Sequence, residues 1–574
     1  MYIKSFFNDL NLTKKDGIYL LALTVFSILY TVHLIDVNYT LNFKSDPFVY
    51  LINGLVYAGM QGHIENYSYG MFLTPVVSFL TSLLFRMGIV DKIAIMIVSG
   101  VISILGEIGL YLLFKTKFNE VYSFFGCILF ASFHIVLTIW GGGGIDIPVC
   151  AFSIITFLFM VLAVDKNPKY YIPTSIFLII SIFTKYDALF IIPILFLYYL
   201  TKHDFFNLVD LALSDRDELK IVIKNYIKSE EFKYIVISLI IAVVLFILFC
   251  EVIWSYGANL TFLTQSQESL NGFNSAKAAR SHFYYNDKKF YIRNLYTFFY
   301  PQISQEFSLI IPAIIAIGTV FNFANIIRRR KEYPMVRDYK TPHFKYLLVG
   351  LIIILIPIAI IGFKYISHMV TNVALLTICV CLLSLADKFD IDKRTFNLDI
   401  FFLAWIFVFA VFFSFITIKG QRYLIIALPA VVYFVLRTIE EIFNKFKDSN
   451  ILKITLIIIA AIIIVYSLSF TFTDGNFDTE RNNTAIQEVY DYLVEYDPDY
   501  LNKNLSSDYS YGSRFGTWTL KKDVRYVKLG VIDQSESDYL IVKHDNVSLA
   551  NYTEIYRAGK IKLYQNNMYD NSSI

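Results

Sequence analysis

Asp46, Asp146 and Asp187 are carboxylates at the ends of apolar runs, and Lys185, Lys419 and Arg422 are cations in equivalent places. A carboxylate beside a membrane can take the proton of an incoming hydroxyl. Cations beside it can stabilise a phosphate as it leaves. Asp46 sits in Asn42-Phe43-Lys44-Ser45-Asp46-Pro47-Phe48-Val49-Tyr50, just past the first hydrophobic segment. Asp146 follows Trp140-Gly141-Gly142-Gly143-Gly144 and opens another apolar run two residues before Pro148. A helix cap is the other reading of that position. Thr184-Lys185-Tyr186-Asp187 joins two short runs. Ionised groups so deep are normally paired or functional, and a Lys185–Asp187 pair that holds the turn is the alternative. Lys419-Gly420-Gln421-Arg422-Tyr423 offers a guanidinium fork for phosphate oxygens and an interfacial ring; a snorkelling anchor is the bland reading. His63, Glu65 and Tyr69 follow Asp46 in the same loop. A second large loop, 256–306, sets Lys277, Arg280, His282, Lys288, Lys289 and Arg293 among aromatic rings. It suits an anionic headgroup or a phosphate, or serves as a solvated lid. Asp146 and Glu65 are the second acidic candidates. The reading requires no cofactor; Asp46 with Asp146 is the pair that would hold a divalent ion, Mg2+ or Mn2+.

These residues need a membrane around them. The chain has 574 residues, of which 56% are hydrophobic and only 17% charged. A soluble domain does not sustain that composition, so the chain reads as a polytopic α-helical membrane protein. The net charge of +3 leaves no polybasic footprint, which argues against nucleic acid as a partner. The five cysteines lie in or beside apolar stretches, which predicts neither a disulfide framework nor a cysteine metal site. Apolar runs place about thirteen spans near 17–37, 92–114, 119–140, 147–164, 170–185, 187–201, 233–255, 307–327, 346–362, 366–386, 399–418, 423–441 and 453–472. Counting 71–90 as a further span would move Arg328-Arg329-Arg330-Lys331 outside. The positive-inside rule therefore makes 71–90 a helix lying at the interface. The N-terminus is then cytoplasmic, the protein sits in the plasma membrane, and all the candidates above share the outer face. Segment 202–232 reads as an amphipathic helix on the inner surface.

Residues 1–473 form the membrane domain, with outer loops 38–91 and 256–306. Residues 474–574 are polar, with one helical pattern at Thr484–Tyr496 and alternating runs at Val524–Leu529, Tyr539–Val542 and Lys560–Tyr564. They predict a small extracytoplasmic α/β domain, a cap or a module that recognises an acceptor.

The order and spacing of these features resemble the GT-C glycosyltransferases, in particular family 39 and its relatives, among them protein O-mannosyltransferases and lipid A aminoarabinose transferases. The resemblance runs through Asp46 and through Ser68-Tyr69-Gly70 before a helix ending Leu84-Phe85-Arg86-Met87-Gly88. It continues through Tyr111-Leu112-Leu113-Phe114-Lys115, Asp146 and Phe183-Thr184-Lys185, and ends at Gln421-Arg422-Tyr423-Leu424 followed by Leu428-Pro429-Ala430. It implies inverting transfer from a polyprenyl-phosphate sugar to a hydroxyl acceptor at the bilayer edge. In that reading Asp46 is the general base. Lys185, Arg422, Lys419, Arg280 and Arg293 are phosphate ligands, and Tyr69, His63, Tyr423 and Asp187 line the site. The chain departs from the family where Pro47 follows Asp46 in place of an acidic pair, and it lacks the Trp-Trp-Asp of oligosaccharyltransferases. The alternatives are a transporter or flippase of lipid-linked sugars and a non-catalytic surface-assembly protein. Ionisable residues at mid-membrane and internal repeats would favour a transporter.

Overall fold

Helices cover the apolar runs in a computed structural model, which describes residues 2–41, 45–64, 74–256, 287–294, 310–328, 339–341, 343–389, 391–444, 449–471, 484–528, 536–543 and 549–569. Among the described residues, eight helices are long and apolar enough to cross a membrane. A pair bent by 58°, Tyr186–Leu200 with Phe205–Ser214, would make a ninth. Of the other predicted spans, 307–327 and 453–472 are covered by Ile310–Arg328, of 19 residues, and Ser449–Thr471, of 23 residues, whereas three are covered by shorter helices. The run 119–140 is interrupted at Phe133, whose extended backbone (φ −61, ψ 132) ends the helix Glu120–Ser132. The runs 170–185 and 187–201 become Tyr171–Thr184, a 3-10 turn Tyr186–Phe190 and Ile191–Leu200. A helix rises about 1.5 Å per residue, so none of these reaches across a bilayer core alone.

Pro75–Arg86 has twelve residues, too few to span a bilayer core at about 1.5 Å per residue. Segment 202–232 differs from the single amphipathic helix expected. Asp204 accepts from the Asn207 N–H at 3.1 Å and Asp215 from the Glu218 N–H at 3.0 Å. Each carboxylate caps its own helix, Phe205–Ser214 and Arg216–Ile227, and the second cap forces a break.

Two features position the first loop. Helix Ser45–Ala58 carries Asp46 in its first turn, where an acid suits the helix dipole and Pro47 has no intrahelical partner to lose. It stops at Gly59, whose φ of +73 is available to glycine without a Cβ clash. Arg86 then donates to the Tyr57 carbonyl at 2.6 Å, which ties Pro75–Arg86 across that end. The turn that delivers Asp146 is held against the first long helix, Lys14–Leu41. Gly141 has φ +68, and a Cβ there would lie 3.1 Å from the Ile35 side chain. Trp140 donates from Nε1 to Thr31 at 2.8 Å, and the Asn38 amide donates to the Trp140 carbonyl at 3.3 Å.

The C-terminal residues form a five-stranded sheet: β1 (Leu505–Ser507), β2 (Val524–Tyr526), β3 (Tyr539–Val542), β4 (Tyr552–Ala558) and β5 (Ile561–Asn566), ordered β2-β1-β3-β5-β4. β1 runs parallel to β2 and β3, whereas β5 pairs antiparallel with β3 and β4. Helix Ser510–Leu520 is the crossover between the parallel strands β1 and β2, as such a connection requires. Thr484–Tyr496 is helical with the bounds its periodicity predicts.

Candidate active site

The crossover helix Ser510–Leu520 reads Ser-Tyr-Gly-Ser-Arg-Phe-Gly-Thr-Trp-Thr-Leu. Its spacing puts Tyr511, Arg514, Phe515 and Trp518 on one face. That face sits on the loop helices. Phe48 meets the rings of Tyr511 and Phe515 edge-on, at 5.8 and 5.4 Å between centroids. Trp518 stacks on Phe85 at 6.0 Å. The His63 N–H donates to the Lys521 carbonyl at 2.9 Å. His63 therefore belongs to the seam between domain and loop.

Arg514, in the middle of that aromatic face, reaches the loop carboxylate: its Nη1 donates to Asp46 Oδ1 at 2.8 Å. The other oxygen, Oδ2, accepts from Arg422 Nη2. Arg422 Nε lies 3.6 Å from Asp146 Oδ2, Asp146 Oδ1 lies 3.0 Å from Lys185 Nζ, and Lys185 Nζ lies 2.8 Å from Asp187 Oδ2. The result is an unbroken row, Arg514–Asp46–Arg422–Asp146–Lys185–Asp187, in which charge alternates in sign. Alternation is what lets such groups be withdrawn from water, because each has an opposite partner. The row runs from a partly open end to a closed one. The Asp46 side chain is 36% exposed and that of Asp146 5%. The Tyr423 ring lies under Lys185, whose Nζ is 4.7 Å from its centroid, and stacks on Phe413 at 5.6 Å.

Breaks in helices put these side chains at one level. Lys185 is the extended residue (φ −161, ψ 126) between Tyr171–Thr184 and the following 3-10 turn. Arg422 and Tyr423 lie in a second 3-10 turn, Gln421–Ala427, which leads into Leu428–Asn444. Asp146 is the first residue of Asp146–Asp165 and pairs with both Arg422 and Lys185. The expected Lys185–Asp187 pair is present, but as one end of the longer row.

Burial would push the Asp46 carboxyl up; Arg422 and Arg514 outweigh that effect and hold it below the ordinary carboxylate value. Asp46 is thus firmly ionised and held on both oxygens.

Several predicted site residues lie elsewhere. Lys419 turns away from the row and donates to the carbonyls of Phe413 and Ser414 at 2.9 and 2.7 Å, closing the C-terminus of helix Lys393–Phe415. Burial pushes its amine down to about 8. We expect Lys419→Ala to cost about 1–3 kcal/mol through the orphaned carbonyls and to leave donor affinity unchanged. Thermal unfolding beside a binding titration checks both. Arg293 is exposed and paired with Asp287 at 2.8 Å. Tyr291, in the short helix Phe290–Arg293, joins the Arg422 loop, donating to the Gly420 carbonyl at 3.2 Å. Glu65, Tyr69 and Arg280 lie outside the described residues.

Arg514 was not anticipated. The signal was in the sequence as Tyr511-Arg514-Phe515-Trp518, an aromatic face with a single cation at its centre on a helix of a polar domain. Among the described residues no three His, Cys, Asp or Glu side chains converge as metal ligands. Asp46 and Asp146 face the guanidinium of Arg422, so a divalent ion between them would have to displace it. The residues do not fit a metal in this arrangement.

The chain aligns with the crystal structure of ArnT from Cupriavidus metallidurans bound to undecaprenyl phosphate, with TM-score 0.52, 10% identity, and 96% of this chain and 98% of that one covered. The apo structure of the same protein aligns with TM-score 0.48 and 11% identity over the same shares. Residues 73–209 match the family model of dolichyl-phosphate-mannose-protein mannosyltransferase. No curated protein matches the chain. The family match and the shared fold together support a GT-C superfamily glycosyltransferase.

Proposed function

We propose that the protein moves a sugar from a polyprenyl-phosphate donor to a hydroxyl acceptor, with inversion at the anomeric carbon and with Asp46 as general base. The observation that carries this reading is the contact of Asp46 with Arg422, a proton acceptor beside a candidate phosphate ligand, where Asp46 also meets Arg514 of the docked domain. The undecaprenyl phosphate bound to the ArnT structure supports a lipid-linked donor. The acceptor oxygen attacks the anomeric carbon while its proton passes to the Asp46 carboxylate. The bond from that carbon to the phosphate oxygen breaks, and the lipid phosphate leaves with the electron pair. Arg422, and Lys185 behind it, stabilise the charge that develops there. The excess of lysine and arginine in the other loops supports a cytoplasmic N-terminus and a C-terminal domain outside the plasma membrane.

The test is incubation of the purified protein in lipid nanodiscs with a panel of polyprenyl-phosphate sugars and hydroxyl acceptors. We expect glycosylated acceptor of inverted configuration and one polyprenyl phosphate released per transfer. Folded protein that cleaves none of the donors, or that carries them across a vesicle bilayer intact, would overturn the reading.

A further inference from the structure

A general base works best when its proton affinity is near the operating pH, yet here two guanidiniums hold Asp46. Arg422 bridges Asp46 and Asp146 within the membrane domain, whereas Arg514 approaches from outside that domain. It comes from the C-terminal domain, its side chain is 18% exposed, and the aromatic contacts of Phe515 and Trp518 fix where it stands. We propose that Arg514 is a ligand of the donor phosphate that is parked on Asp46 in the free protein, so that the arriving lipid phosphate draws it off and releases the base. The proposal rests on the reading given under Proposed function.

Charge balance through the reaction supports it. The row holds three cations and three carboxylates, so it is neutral as it stands. A sugar phosphodiester brings one negative charge. When the anomeric bond breaks, the phosphate becomes a monoester and gains a second. Asp46 becomes neutral in the same step, because it accepts the acceptor's proton. Negative charge therefore moves from the Asp46 carboxylate to the phosphate, so a guanidinium that the arriving phosphate has drawn from the first to the second is held more tightly as the bond breaks. A guanidinium fork suits carboxylate and phosphate oxygens alike. Arg514 would bind the transition state better than the ground state, which is what accelerates a step. It also makes the C-terminal domain part of the donor site.

The test compares Arg514→Gln and Arg514→Lys with wild type in the full chain, reconstituted in nanodiscs. Undecaprenyl phosphate without sugar is the probe, and hydrogen exchange of the sheet reports whether the domain stays docked. Gln can still hydrogen-bond Asp46 but carries no charge. We expect it to weaken probe binding about ten- to a hundred-fold and to move the acid limb of kcat/KM, which reports the free enzyme, to higher pH. Lys is expected to keep most of the affinity and the wild-type limb. The proposal fails if Arg514→Gln binds the probe as wild type does. It fails equally if both variants lose binding together with the docked domain, which would make Arg514 a structural tie. Wild-type protein that neither binds the probe nor transfers from any lipid-linked sugar would instead sink the function itself.

Discussion

Asp46→Asn is expected to lower kcat for sugar transfer by about a hundred- to ten-thousand-fold, the usual loss when a general base is removed, while the protein still folds. Asparagine keeps the shape of the side chain and an oxygen for one of the two arginines, but it cannot take a proton. The stability cost stays small because Asp46 is partly exposed, and exposed pairs contribute little once water screens them. Single-turnover transfer beside thermal unfolding in nanodiscs checks the result. Full activity would remove Asp46 as the base. Asp146→Asn makes the contrast. Asp146 is buried between Arg422 and Lys185, so its loss leaves two cations in each other's field and is expected to cost about 3–5 kcal/mol of stability. An assay of activity alone would confuse the two residues, whereas unfolding data separate them.

Arg422→Lys is expected to lose about a hundred- to a thousand-fold in kcat/KM, the range seen when one donor that stabilises developing charge is deleted. The charge is kept, so the prediction rests on geometry. Arg422 contacts Asp46 through Nη2 and Asp146 through Nε, and only a planar fork presents donors in both directions. A lysine must choose one carboxylate and leave the other. The split between parameters is informative. A rise in KM alone means that Arg422 holds the donor equally in ground and transition states, and a fall in kcat means that it acts as the phosphate leaves. Wild-type kinetics in the lysine variant would show that charge suffices.

What the sequence made legible follows from how locally each feature is encoded. Asp46, Asp146, Lys185, Asp187, Arg422 and Tyr423 sit at the ends of apolar runs, and a membrane sorts run ends by depth. Their convergence could be read without knowing which helices touch. Lys419 shows the limit. It is three residues from Arg422 and passes the same test of type and place, yet it points to the end of its own helix, because direction within a loop depends on backbone detail that charge counting does not see. Phe133 and Lys185 show another limit: an apolar run reports burial, and a break costs no hydrophobicity. Arg514 was hidden for a third reason. Its helix belongs to a domain whose docking is set by Phe48 and Phe85, residues in a distant loop whose own side chains gave no sign of a partner.

The contact between Asp46 and Arg514 spans 468 residues. A ribosome adding roughly 5–20 residues per second needs about 20–90 s to make that stretch. For that interval the first loop and its carboxylate exist without the arginine and without the aromatic face that covers Phe48. A chain that stalls before the crossover helix is left with an open site and an exposed phenylalanine. The helix that completes the centre is therefore made long after the loop it completes.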